Sequence, residues 1–132
     1  MTRTRPGPRR SLSEEQLLDA ALRLLDAKGV EGLSVRGLAA EVGVAPNAVY
    51  TYFPDKAAVL AGVVERVLGR VAVGAFADSG PSWRERVVAL AEAVRAELLA
   101  HPGAVPLLFS VPLTGPNALA VGETLLAVLA GA

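Results

Sequence analysis

LSVRGLAAEVGVAPNAVYTYFPDK, from Leu33 to Lys56, holds two short helical signals either side of a Gly43-Val44 turn. Ser34 is a residue type that caps a helix start, and Leu38, Ala39 and Val42 then recur on one face. Gly43 supplies the turn. Pro46 suits the first turn of the next helix, where its missing N–H would be unpaired anyway, and Pro54 stops that helix after about two turns. Two helices crossed through so tight a turn form a wedge whose second member is narrow enough for the roughly 12 Å major groove of DNA.

The side chains suit that use. Ala45 and Ala48 permit close approach, Asn47 can pair with base edges, and Thr51 offers a hydroxyl and a methyl. Tyr50 and Tyr52 offer hydroxyls to phosphates, Arg36 reaches a base edge or a phosphate, and Lys56 sits where a backbone contact would be useful. For any one of them alone, a solvated polar helix face is the competing reading.

Working outward, Ser13 with Gln16, or Ser11 with Glu14, matches a capping box that opens a helix running to about Lys28. Leu17, Ala21, Leu24 and Leu25 form its inner face, with Glu15, Asp19, Arg23 and Asp26 largely on others. Gly29 suits a left-handed end. Asp55 caps a fourth helix carrying Leu60, Val63, Val64, Val67 and Val71 to the Gly74 region. Asp78-Ser79-Gly80-Pro81 is turn chemistry, and Ser82 with Glu85 is a further capping box, opening a helix that His101-Pro102-Gly103 closes. A short helix over Val105 to Phe109 and a last one from Gly115-Pro116-Asn117 complete an all-α chain. No strand is predicted, because the apolar residues keep helical spacing.

Composition bounds the rest. The chain has 132 residues, 52% hydrophobic and 20% charged, enough for a packed core. Cysteine is absent, which excludes thiol chemistry and thiolate metal sites and fits a cytoplasmic protein. Leu98 to Gly122 carries no charge, yet Pro102, Pro106, Pro112 and Pro116 interrupt it too often for a membrane span. No phosphate loop, nucleophile elbow or metal-ligand cluster points to an enzyme, and no cofactor is expected. His101 alone is a poor metal ligand and reads as a capping or surface residue.

Thirteen basic and thirteen acidic residues give zero net charge. Their distribution is uneven: Arg3, Arg5, Arg9 and Arg10 precede the first acid, Glu14. This stretch reads equally as a DNA-contacting arm or as an unstructured basic tail or cloning remnant, and it can hold phosphates while specifying nothing. A helical protein-interaction module that does not bind DNA is the alternative function.

GLSVRGLAAEVGVAPNAVYTYFPDKAAVL, together with the leading LLDAALRLLDAKG, resembles the DNA-binding head of the tetracycline-repressor family over about Ser13 to Val71. The resemblance implies that Ser34, Val35, Arg36, Ala45, Pro46, Asn47, Ala48, Tyr50, Thr51, Tyr52 and Lys56 lie at or near DNA, with Val49 and Phe53 facing the core. It implies a homodimer on palindromic operator DNA, released by a small-molecule effector. The expected organisation is a basic arm over 1–12, a DNA-binding domain over 13–56 and an effector-binding and dimerisation domain over 57–132. SWRERVVALAEAVRAELLAHPGAVPLLF is more weakly similar to the family's ligand-binding half, which in such regulators continues beyond the length seen here. Trp83, Leu90, Val94, Leu108 and Phe109 are the candidate lining for a largely apolar effector, with ordinary core packing as the competing role.

Overall fold

The computed structural model describes residues 12–77 and 82–132, and every regular element among them is helical. The basic residues Arg3 to Arg10, the alternative cap Ser11 and the turn 78–81 lie outside the described residues.

Helix α1 spans Glu14–Lys28 and starts with the Ser13–Gln16 capping box, in which each side chain takes the other's backbone N–H. Leu17, Leu18, Ala21, Leu24 and Leu25 are all buried, so the 3.6-residue stripe read from the sequence is the core face. Gly29 ends it with φ 76° as expected, but its ψ of 179° is extended, and it leads into a 3₁₀ turn over Val30–Gly32.

Helix α2 (Val35–Val42) is capped by Ser34 Oγ, which accepts from Gly37 N at 2.9 Å. Gly43 closes it in the left-handed conformation, φ 77° and ψ 33°, which any β-carbon would strain. Helix α3 (Pro46–Tyr50) follows with Pro46 in its first turn, and α4 (Lys56–Leu68) begins on Asp55, whose carboxylate accepts from Ala58 N at 2.9 Å. Leu38 from α2, Val49 from α3, Phe53, and Val59 and Val63 from α4 close on α1 in one apolar cluster. Each such side chain contributes about 1.5–3 kcal/mol by leaving water.

The fourth helix is shorter than its apolar period suggests. It ends at Leu68 rather than near Gly74, because Gly69 and Arg70 tighten the backbone into turns through Arg70 N to Val67 O and Val71 N to Leu68 O. Val71 is still buried, which explains why the pattern runs on past the helix.

After α5 (Gly74–Ala77), α6 (Trp83–Ala100) is capped by Ser82 and closed by His101, whose N–H reaches the Glu97 and Leu98 carbonyls. A 3₁₀ turn at Pro102–Ala104, the four-residue α7 (Leu107–Ser110) and α8 (Pro116–Ala130) complete the described chain. Leu107 and Ala104 join the main core, and α8 packs on α4, α5 and α6.

Candidate nucleic-acid interface

α3 is held from beneath by Val49, which is fully buried, while Asn47 and Tyr50 on its other side are exposed. Ala45 is exposed, and Pro46 and Ala48 are half-buried, so small groups surround Asn47 without covering it. Arg36 is exposed near the start of α2 and has no ion pair among the described residues. Ser34 is exposed as well, its hydroxyl engaged in the cap.

Several side chains are already committed. Val35 is a correction: it is 8% exposed and belongs to the core cluster, because α2 packs on α1 and its first turn contributes an apolar side chain there, so its side chain does not face outward. Thr51 Oγ1 donates to the Asn47 carbonyl at 3.1 Å, leaving its methyl and lone pairs for a partner. The Tyr52 hydroxyl donates to the Leu12 carbonyl, so it has no proton left for a phosphate. Lys56 Nζ donates to the Val30 carbonyl at 2.7 Å, with two of its three N–H groups remaining.

The candidate effector residues are not gathered in one cavity. Phe109 is 87% exposed and so lines no enclosed space, a correction that follows from the α7 turn pointing it away from the core. Trp83 is half-buried under the Arg84 guanidinium, 4.5 Å from its ring centroid. Leu90 is buried, and Val94 and Leu108 pack against the main core. One cleft of about 760 Å³ opens between α1 and the α2–α3 turn, and another of about 390 Å³ lies where α1, α4 and α8 meet. None of the five residues lines either.

A joint not legible in the sequence ties α1 and α4 to the later helices. Asp26 accepts from Gly103 N at 2.9 Å through one oxygen and faces His101 Nδ1 at 3.1 Å through the other. Arg70 Nη1 lies 2.9 Å from His101 Nε2, and since a guanidinium can only donate, that nitrogen accepts and Nδ1 carries the proton to Asp26. Glu65 receives Asn117 N at 2.7 Å and Ala118 N at 3.0 Å, capping α8 from α4. Arg66 forms a bidentate pair with Asp19 at 2.9 and 3.0 Å, and that hydrogen bond raises the guanidinium above its ordinary value. His101 therefore caps α6 with its backbone, as expected, while its ring joins two elements. Among the described residues no group of histidines and carboxylates is placed to hold a metal ion.

A short exposed helix, set across its neighbour by a left-handed glycine and backed by an apolar core, is the arrangement of a helix-turn-helix DNA-reading head. Residues 17–63 match the family of bacterial regulatory proteins, tetR family, and residues 76–132 match the tetracyclin repressor-like C-terminal domain. An HTH-type transcriptional regulator of Saccharopolyspora erythraea is 38% identical over 131 residues, covering 99% of this chain and 53% of the relative. The Streptomyces coelicolor TetR family protein ActR, solved in complex with actinorhodin, is 27% identical with a TM-score of 0.81, over 92% of this chain and 56% of that one. BioQ, solved with its double-stranded DNA operator, is 26% identical with a TM-score of 0.76, over 92% of this chain and 72% of that one. The chain belongs to the TetR family of helix-turn-helix transcriptional regulators. It spans about half the length of the curated relatives it matches.

Proposed function

We propose that the protein is a repressor that binds a palindromic operator as a homodimer and is released by a small, largely apolar effector. The observation that carries the DNA-reading part is the α3 wedge: Val49 fixed in the core and Asn47 and Tyr50 exposed on the opposite side. In this reading Asn47 reads a base edge, Ala45, Pro46 and Ala48 let the backbone approach, and Thr51 offers its methyl. Tyr50, Arg36 and the spare N–H groups of Lys56 hold phosphates, and Ser34 keeps α2 aimed at the backbone.

Residues 13–56 form the reading unit and 57–132 the effector-binding and dimerisation part, with α4 shared between them through Asp19–Arg66 and Glu65. ActR, bound to actinorhodin, supports a small-molecule effector for this chain too, and BioQ on its operator supports duplex DNA as partner. Such a protein works in the cytoplasm and acts by binding, with no reaction of its own. An effector releases DNA only by its differential affinity for the two head positions. No helix among the described residues is long and apolar enough to cross a membrane.

Selection of bound duplexes from a random pool with the full-length protein tests this reading. A palindrome is expected. Recovery of no enriched sequence overturns it in favour of a helical interaction module. On the selected duplex, Asn47→Ala should lose discrimination against mismatched sites by about 1–3 kcal/mol, while Tyr50→Ala should weaken selected and random duplexes alike.

A further inference from the structure

The recognition helix is short for what DNA reading asks of it. Five residues, Pro46–Tyr50, make a helix about 7.5 Å long, far below the length that holds itself in water. It packs chiefly on α2, and Ala45 before it gives no side-chain cap. Its hold on the core is Val49, with Phe53 one turn further along the chain, and both are buried. Two anchors at one end of so short a helix leave it free to rock about the line that joins them. Asn47 precedes Val49 by two residues and is exposed on the opposite face, so rocking carries its amide sideways.

A third attachment is needed to stop that motion, and Tyr52 makes it. Its hydroxyl donates to the Leu12 carbonyl, 40 residues away in the chain. Leu12 packs against the main core and is followed by Ser13, the cap of α1, so the acceptor is held by the α1 side of the fold. Tyr50 is exposed, and its hydroxyl has no partner among the described residues. The two tyrosines therefore differ in use. One hydroxyl is open to solvent, and the other ties the end of α3 to the start of α1.

We infer that Tyr52 is a positioning residue for DNA reading: its tie to Leu12 holds α3 at the tilt at which Asn47 meets a base edge. The inference rests on the DNA-binding reading above. A base contact needs its donor and acceptor within a few tenths of an ångström and in line, whereas long side chains on phosphates follow a helix that rocks. Loss of the tie therefore falls on the specific complex and spares the sequence-independent one.

The test uses the full-length protein and Tyr52→Phe, which keeps the ring and removes only the hydroxyl. Affinity is measured for a pool-selected duplex and for a random duplex. Tyr52→Phe should bind the selected duplex about fivefold more weakly, the factor one net hydrogen bond is worth, and the random duplex within about twofold of the unmodified protein. Tyr50→Phe gives the pattern of a lost phosphate contact, a similar loss on both duplexes. Without DNA, the amides of Thr51 and Phe53, which donate to the Asn47 and Val49 carbonyls, should exchange several-fold faster in Tyr52→Phe, with α2 and α4 unchanged.

An unchanged affinity of Tyr52→Phe for the selected duplex overturns the inference. An equal loss on both duplexes overturns it too, by making Tyr52 a phosphate contact, and so does unchanged exchange in α3. Loss of folding in Tyr52→Phe has the same force, since the hydroxyl would then serve the core and not the tilt of α3. All four results leave the DNA-binding reading intact. Failure of the unmodified protein to bind any duplex at low salt is the separate outcome that overturns that reading and the inference with it.

Discussion

In α1 to α4 the large apolar side chains are nearly all inside, and Tyr50 and Tyr52 are the exposed ones; in α6 to α8 Val88, Leu99, Leu119, Leu126 and Leu129 all face outward. The starts of the helices divide along a different line. α1, α2, α4 and α6 each receive a side-chain cap from the residue just before them, whereas α3 and α8 begin on Ala45 and Gly115, which have none to give. The N–H groups of α8 are met by Glu65 of α4, and the turn after α6 is met by Asp26 of α1. The start of α6 is local, but the turn after it and the start of α8 are positioned by carboxylates that the first region holds out.

The sharpest way to break this contrast is to truncate one leucine in each region. Leu17 is fully buried in α1, so Leu17→Ala should cost about 2–5 kcal/mol in urea unfolding through lost transfer energy and an unfilled cavity. Leu126 is 67% exposed in α8, and Leu126→Ala should change stability by no more than about 0.5 kcal/mol. A comparable loss at both positions would show that the outer face of α8 is covered in solution and that the contrast belongs to an isolated chain.

The next effect lies at the joint itself. A β-carbon on Gly103 would stand 2.4 Å from the backbone carbon and oxygen of Leu25, atoms that cannot swing aside as a flexible side chain would. Gly103→Ala should therefore push the 3₁₀ turn off α1, break its N–H bond to Asp26 and cost about 1–3 kcal/mol. Urea unfolding measures the loss, and amide exchange should place it at residues 101–104. An effect below about 0.5 kcal/mol would mean that the two regions are not rigidly docked there.

How much of this could be read in advance follows from the range of each interaction. Ser13, Ser34, Asp55 and Ser82 were legible as helix starts because a cap acts over three residues. Gly43 was legible because the turn is local as well, and Val49 was placed in the core by the family resemblance. The joint was not. Asp26 meets partners 75 and 77 residues away, so it read as a charge on an outer helix face, and Glu65 meets one 52 residues away and drew no reading at all. Val35 was placed at or near DNA by the family resemblance, as part of the run Ser34-Val35-Arg36, and only the packing of α2 on α1 turns its side chain in.

A smaller effect separates local from borrowed capping. Glu65→Ala removes both acceptors at the start of α8 and should cost about 1–2 kcal/mol, the range expected when a helix loses its cap and a favourable charge at its positive end. Ser34→Ala removes a cap of the ordinary local kind and should cost about 1 kcal/mol. Amide exchange distinguishes the two: the first should loosen α8 while leaving α2 protected, and the second should do the reverse. Loosening of both helices in either variant would show that the regions open as one unit.

The smallest expected effect concerns the pair that fixes α4 on α1. Arg66 holds Asp19 through two parallel bonds, with its side chain 24% exposed, and a lysine would keep the charge but lose the fork. Arg66→Lys should cost about 0.5–1 kcal/mol. The pairing raises the arginine above its ordinary value, so its stabilisation is fully present below that value and is lost only as pH climbs past the raised one. Arginine titration therefore adds no pH dependence near neutrality, and the stability difference between the wild type and the Arg66→Lys variant should stay flat from about pH 6 to pH 8. A difference that changed with pH across that window would place a second titrating group in the pair and show that the α1–α4 contact is not held by the guanidinium fork alone.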